Sequence, residues 1–142
     1  SPFGRLYFVG TPSEAYHTGA DLNLPSDGDA HGPVYAAASG TVIFAGVVVN
    51  TGSTIGANVI LNTGCTVDHH NHIGDHVHIA PGVHLGGDVQ IGESTLVGIG
   101  ATVMPQQTIG KWAVVGAGAL VCQPVADQTT VIGAPARIYS KK

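Results

Sequence analysis

From residue 43 onward every sixth residue is aliphatic: Ile43, Val49, Ile55, Leu61, Val67, Ile73, Ile79, Leu85, Ile91, Val97, Val103, Ile109, Val115 and Val121. The dipeptide Ile-Gly returns at every third of these steps, at Ile55, Ile73, Ile91 and Ile109. Two places before each of these positions the side chains are mostly small or apolar, as at Val47, Val59, Cys65, Val77, Val83, Val89, Ala101, Ala113 and Ala119. A helix cannot hold this pattern, because six residues turn it by about 240° and would scatter the aliphatics over three faces. Short strands can, with alternate side chains turned inward and Gly or Asn at the corners. Three such strands per coil, one for each step of the column, predict a triangular β-solenoid with a stacked aliphatic interior. Asp127 interrupts the column, and "VIGAPARIYSKK" is the expected cap over the exposed end.

Composition narrows the reading further. Glycine supplies 21 of 142 residues and charged residues only 10%, a turn-rich β balance rather than a helical one. Five Lys and Arg against a net charge of -4 argue against nucleic acid, whose backbone calls for basic patches. The longest apolar run, Val42 to Val49 allowing Gly46, is far short of the roughly 20 residues that span a bilayer, so no membrane partner is expected. The opening "SPFG" has neither an initiator Met nor the apolar core of a signal peptide. Cys65 and Cys122 stand about three coils apart, roughly 14 Å at ordinary strand spacing, which reads as two separate thiols and a reducing, cytoplasmic setting.

The repeat from "NTGSTIGANVILNTGCTVDHHNHIGDHVHIAPGVHLGG" through "VGIGATV", "VGAGALV" and "IGAPARI" resembles the hexapeptide-repeat acyltransferases, most nearly the sugar O- and N-acetyltransferases of the sialic acid and bacillosamine type. The resemblance runs from Gly40 to Ile138 and implies an all-β fold, a left-handed parallel β-helix, assembled as a homotrimer. It also implies acetyl-CoA as co-substrate and a small-molecule sugar acceptor. No metal is expected.

Six of the eight histidines fall between His69 and His84, yet none stands one full coil from another, so no vertical histidine ladder can build a metal site. His72, His76 and His84 read as solvated surface residues. By the resemblance, His69 is the catalytic base and Asp68 the first member of an acid-His-acid triplet. A neutral imidazole suits removal of a proton from a sugar amine or hydroxyl as it attacks the thioester. The third member departs from the pattern: His70 stands where an acid is usual, so either Asp68 orients His69 or its basicity is lower. His78 matches a donor-contacting histidine and Asn62 a polar residue near the reacting groups. Gly87, Ile99 and Ala117 match positions lining the CoA groove, where small residues let pantetheine approach backbone N–H groups. His69 and His78 are half a coil apart and would share a site most easily across a subunit boundary. Lys111, Arg137, Lys141 and Lys142 are the available cations for CoA phosphates.

Before Gly40 the column fails, with Ala37, His31 and Pro25 at the expected places. There "YHTGADLNLPSDGDAHGPVYAAASGTVIFAG" resembles the opening of the lysostaphin-like zinc endopeptidases, with His17 and Asp21 matching two metal ligands. That family's closing His-x-His segment has a counterpart only in "HVH" at His76–His78, which the solenoid repeat already claims. The expected organisation is therefore an incomplete peptidase-like segment, 1–40, and an acetyltransferase domain, 41–142, joined as a chimera within "GTVIFAG". The functional expectation is acetyl transfer from acetyl-CoA to a sugar amine or hydroxyl. A catalytically impaired trimeric solenoid lacking a sugar-binding domain and a zinc peptidase-like protein are the alternatives.

Overall fold

The computed structural model describes residues 46–140 and the backbone of four short strands before them, Arg5–Leu6, Ala15–Tyr16, Tyr35–Ala36 and Val42–Ile43. His17 and Asp21 lie outside the described residues, as do Lys141 and Lys142. The first two strands pair antiparallel with each other. From Tyr35 on, every third strand stacks parallel on the last, giving three sheets that form the faces of a triangular prism. One face carries Val42–Ile43, Ile60–Leu61, His78–Ile79, Leu96–Val97, Val114–Val115 and the end strands. The next carries Thr66–Val67, His84–Leu85 and Thr102–Val103; the third carries Thr54–Ile55, His72–Ile73 and Gln90–Ile91.

The interval between successive Ile-Gly pairs is the register of this stacking: His78 pairs with Ile60 behind and Leu96 ahead, and Ile79 with Leu61 and Val97. Two departures mark the ends. Ala36 pairs with Ile55, one place beyond the regular interval, so the first coil is longer and the count by sixes misses at Ala37. At the other end Val115 pairs with Val131, short of the regular interval, which is why Asp127 falls out of the column. The terminal sequence then turns back as an antiparallel strand, Arg137–Ile138 against Val131–Ile132, and closes that face as the cap.

Both inward columns fill the prism. Leu61, Ile73, Ile79 and Ile109 are fully buried, with Val59, Val77, Val83 and Ala101 between them. Each Val, Leu or Ile among them contributes about 1.5–3 kcal/mol on leaving water. The second column is broken by buried polar residues, Ser53, Asn71 and Thr95. Their hydrogen bonds close gaps in the backbone ladder: Thr95 Oγ1 donates to the Gly110 carbonyl (2.7 Å) and accepts from the Ala113 N–H (3.2 Å). Corners demand left-handed backbone, and glycine and asparagine are not alone in supplying it. His70, His76, Asp88, Ser94, Gln106, Trp112 and Gln128 also take positive φ, held there by the N–H to carbonyl bond each makes to the coil before. Among the described residues no helix is long and apolar enough to cross a membrane.

Candidate active site

Three successive corners follow the faces around each coil, and the residues singled out by sequence divide between two of them. Asp68, His69 and Gly87 lie at the corner leading into the His72 face. Asn62, Ile99 and Ala117 lie at the corner leading out of the His78 face, with His78 itself on that face.

The His69 corner is tied down from within the prism. The Asp68 carbonyl accepts two hydrogen bonds from buried side chains, Ser53 Oγ (2.8 Å) and Asn71 Nδ2 (2.6 Å). Asn71 in turn accepts from the Val89 N–H (2.6 Å) of the next coil. Sequence reasoning passed over Ser53 and Asn71; their signal is that they are polar where the inward column is otherwise apolar. The Asp68 carboxylate accepts from Asn50 Nδ2 and from the His69 backbone N–H, both at 2.8 Å. The Asn50 bond first, then the His69 N–H, holds this carboxyl below its ordinary pKa, with a smaller contribution from the charge of His69. Asp68 thus fixes the backbone of His69, while the imidazole finds a different partner. His69 Nδ1 lies 3.0 Å from His70 Nδ1, with the rings edge to face at 78°.

Gly87 is where it is because of that imidazole. A Cβ there would stand 2.5 Å from His69 Cε1 and 2.6 Å from Nε2, so the exposed ring lies across the glycine of the following coil. Gly87 therefore makes room for the candidate base, whatever it offers CoA.

At the other corner Asn62 Oδ1 accepts from the Thr63 N–H (2.8 Å), which turns Nδ2 toward His78 Nε2 (3.3 Å). In the neutral ring this contact makes Nε2 the acceptor and leaves the proton at Nδ1. Ile99 and Ala117 stack one coil apart and project into solvent, beside Gly100 and Gly118, where an added Cβ would meet open space. Their N–H groups follow Gly98 and Gly116 and find no acceptor among the described residues, whereas side chains cap the equivalent N–H of Thr63, His69 and Ala57. The third corner is lined by Asp75, Glu93 and Asp127, and Lys111 is engaged there with Glu93 at 3.6 Å, which disfavours an anionic ligand.

The remaining histidines of the cluster each meet a polar side chain one coil back, His72 with Thr54, His76 with Asn58 and His84 with Thr66. Among the described residues no three His, Cys, Asp or Glu converge as metal ligands. Both cysteines are free, and burial pushes the Cys65 thiol up to about 11, which keeps it protonated and inert as a nucleophile.

This parallel triangular prism is the fold of the left-handed β-helix acetyltransferases; a solenoid coiled the other way would not superpose on them. Perosamine N-acetyltransferase from Caulobacter crescentus, solved with CoA and GDP-perosamine, is 36% identical, with a TM-score of 0.68 over 75% of this chain and 54% of its own. The acetyltransferase domain of PglB from Neisseria gonorrhoeae is 36% identical, with a TM-score of 0.69 over 77% of this chain and 58% of its own. Serine acetyltransferase from Escherichia coli matches over 44 residues at 46% identity, 31% of this chain and 16% of that protein. No family model matches. The chain thus spans little more than half the length of the solved structures it resembles.

Proposed function

We propose that the protein transfers an acetyl group from acetyl-CoA to an amine or hydroxyl of a nucleotide sugar, with His69 as general base. The observation that carries this reading is the 36% identity, across the solenoid, to an N-acetyltransferase captured with CoA and GDP-perosamine. His69 Nε2 takes the proton of the attacking amine or hydroxyl as its lone pair bonds to the thioester carbon. The C–S bond then breaks, and the departing CoA thiolate receives the proton from His69. Asp68 keeps the residue in place through its backbone N–H. Ile99 and Ala117 line the pantetheine path with uncapped N–H groups, and Asn62 holds His78 so that its Nδ1–H can donate to the acetyl donor.

The two clusters sit at different corners of one prism, and a homotrimer is the assembly that would join them. The outer side of the His78 face supports it, with Ile60, Leu96 and Val114 around His78, where the His72 face offers Thr54, Gln90 and Thr108. With that face against a neighbour, the Asn62–His78 pair of one chain would meet the His69 corner of the next. A cytoplasmic setting suits two free thiols and an acetyl-CoA substrate.

The test combines calorimetric titration of acetyl-CoA with thiol release in the presence of nucleotide amino sugars, run on the native chain and on His69→Ala. Saturable binding with His69-dependent CoA release is expected. Binding without release would reduce the protein to a donor-binding solenoid, and no binding would overturn the reading.

A further inference from the structure

The residue that breaks the acid-His-acid pattern is the one that touches the imidazole. His70 has φ of +58° at the corner, which swings its ring back over the preceding coil, while His69 leans over the following one. Each ring lies on a glycine. A Cβ on Gly52 would stand 2.7 Å from His70 Cδ2, as one on Gly87 would collide with His69. This crossing brings the two Nδ1 atoms to 3.0 Å.

Two ring nitrogens at that separation form a hydrogen bond only when one carries a proton and the other is bare. If His70 donates, His69 holds its own proton at Nε2 and has no base to offer. If His69 donates, its Nε2 is bare and available as a base. Only the second arrangement lets His69 take up a proton at Nε2 during turnover, and the nearest fixed charge favours that protonated state. Asp68, one residue away and ionised by its bonds to Asn50 and the His69 N–H, stabilises positive charge developing on His69. Asp88, the other carboxylate at this corner, donates its N–H to the His69 carbonyl at 2.9 Å.

We propose that His70 is a positioning residue that fixes the tautomer of His69 by accepting its Nδ1–H, doing with a neutral lone pair what a carboxylate would do in an acid-His-acid site. The choice of tautomer and its role in catalysis rest on the acetyltransferase reading; the Nδ1–Nδ1 contact itself does not. When His69 takes a proton from the acceptor, its Nδ1–H stays bonded to His70, and the pair shares one positive charge. A second proton on His70 Nδ1 would set two N–H groups against each other and break the contact.

The test has two arms. Long-range proton–nitrogen correlation spectra, recorded above the histidine titration range, distinguish protonated from bare ring nitrogens. In the native chain His69 is expected as the Nδ1–H form, and in His70→Ala as the Nε2–H form that an unpartnered imidazole favours. His70→Asn should restore the native tautomer, because Asn tolerates positive φ and sets an amide oxygen near the place of Nδ1. The second arm is kinetic: His70→Ala should lower kcat roughly ten- to a hundredfold with KM for acetyl-CoA unchanged, and His70→Asn should recover most of it. An unchanged His69 tautomer in His70→Ala overturns the proposal, as does a native chain holding Nε2–H. The expected spectra from a chain that transfers no acetyl group would instead sink the acetyltransferase reading and leave the tautomer assignment standing.

Discussion

The His69 corner and the Ile99 corner have the same backbone, yet they have been furnished in opposite ways. At the first, side chains crowd in: Ser53, Asn71 and Asn50 hold Asp68, Asp68 holds the His69 N–H, and His70 meets the imidazole. At the second, side chains are withdrawn. Glycines precede and follow Ile99 and Ala117, and an added Cβ at Gly100 or Gly118 would meet nothing. A repeat that makes all corners alike leaves function to what is added or omitted at each. Precise placement of a base needs the first treatment, and admission of a long flexible donor to backbone N–H groups needs the second.

The largest break in this contrast is removal of the proposed base. His69→Ala should cost roughly 10²–10⁴-fold in kcat, the range for a general base, while acetyl-CoA still binds at the untouched corner. Steady-state kinetics beside calorimetry separates the two. Next comes the glycine beneath the ring. Gly87→Ala drives a methyl into His69 Cε1 and Nε2 and should cost up to about a hundredfold in kcat, as a displacement of about 1 Å can. Gly100→Ala is its counterpart: the backbone there has φ of +65° and the space is open, so thermal melting should register roughly 1 kcal/mol of strain with kcat preserved.

The architecture was legible because burial in a solenoid repeats with a fixed period. Fourteen aliphatics in register define three faces, and the terminal cap could be read from the end of the column. Irregular coils were not legible in the same way: a lengthened first coil and a shortened last one arise from pairing choices that a count by sixes cannot express. The site was read by resemblance, so the roles proposed for His69, Asn62 and Ile99 came with it, but contacts between side chains did not. That Asp68 grips a backbone N–H while His70 meets the ring depends on a positive φ at His70 and on glycines one coil behind and one coil ahead. No local spacing encodes that crossing.

A charge placed on the bare corner should blunt the contrast from the other side. Ile99 is 61% exposed and packs little in the isolated prism, so Ile99→Glu should fold as the native chain does. A carboxylate in the proposed pantetheine path would also repel the CoA phosphates. Roughly a tenfold rise in KM for acetyl-CoA is expected, about 1.4 kcal/mol, with little change in kcat at saturation. A fall in kcat without a change in KM would move the donor away from this corner.

The smallest effect concerns the grip on Asp68. Its carboxyl is depressed below the ordinary value of 3.8, chiefly by Asn50. A depressed pKa contributes stability that is present above the ordinary value and disappears as pH falls through the folded one. Asn50→Ala removes the first cause, so the variant should melt slightly below the native chain at neutral pH. That gap should narrow on acidification past 3.8, as Asp68 protonates in both proteins. The carboxylate is partly solvated, so the difference in Tm should be no more than about 1–2 °C, followed by calorimetry from neutral to acid pH. A gap of constant size across the whole range would mean that Asn50 stabilises the corner by packing and not through the charge on Asp68. In that case the ionised carboxylate would owe its place to the His69 N–H alone.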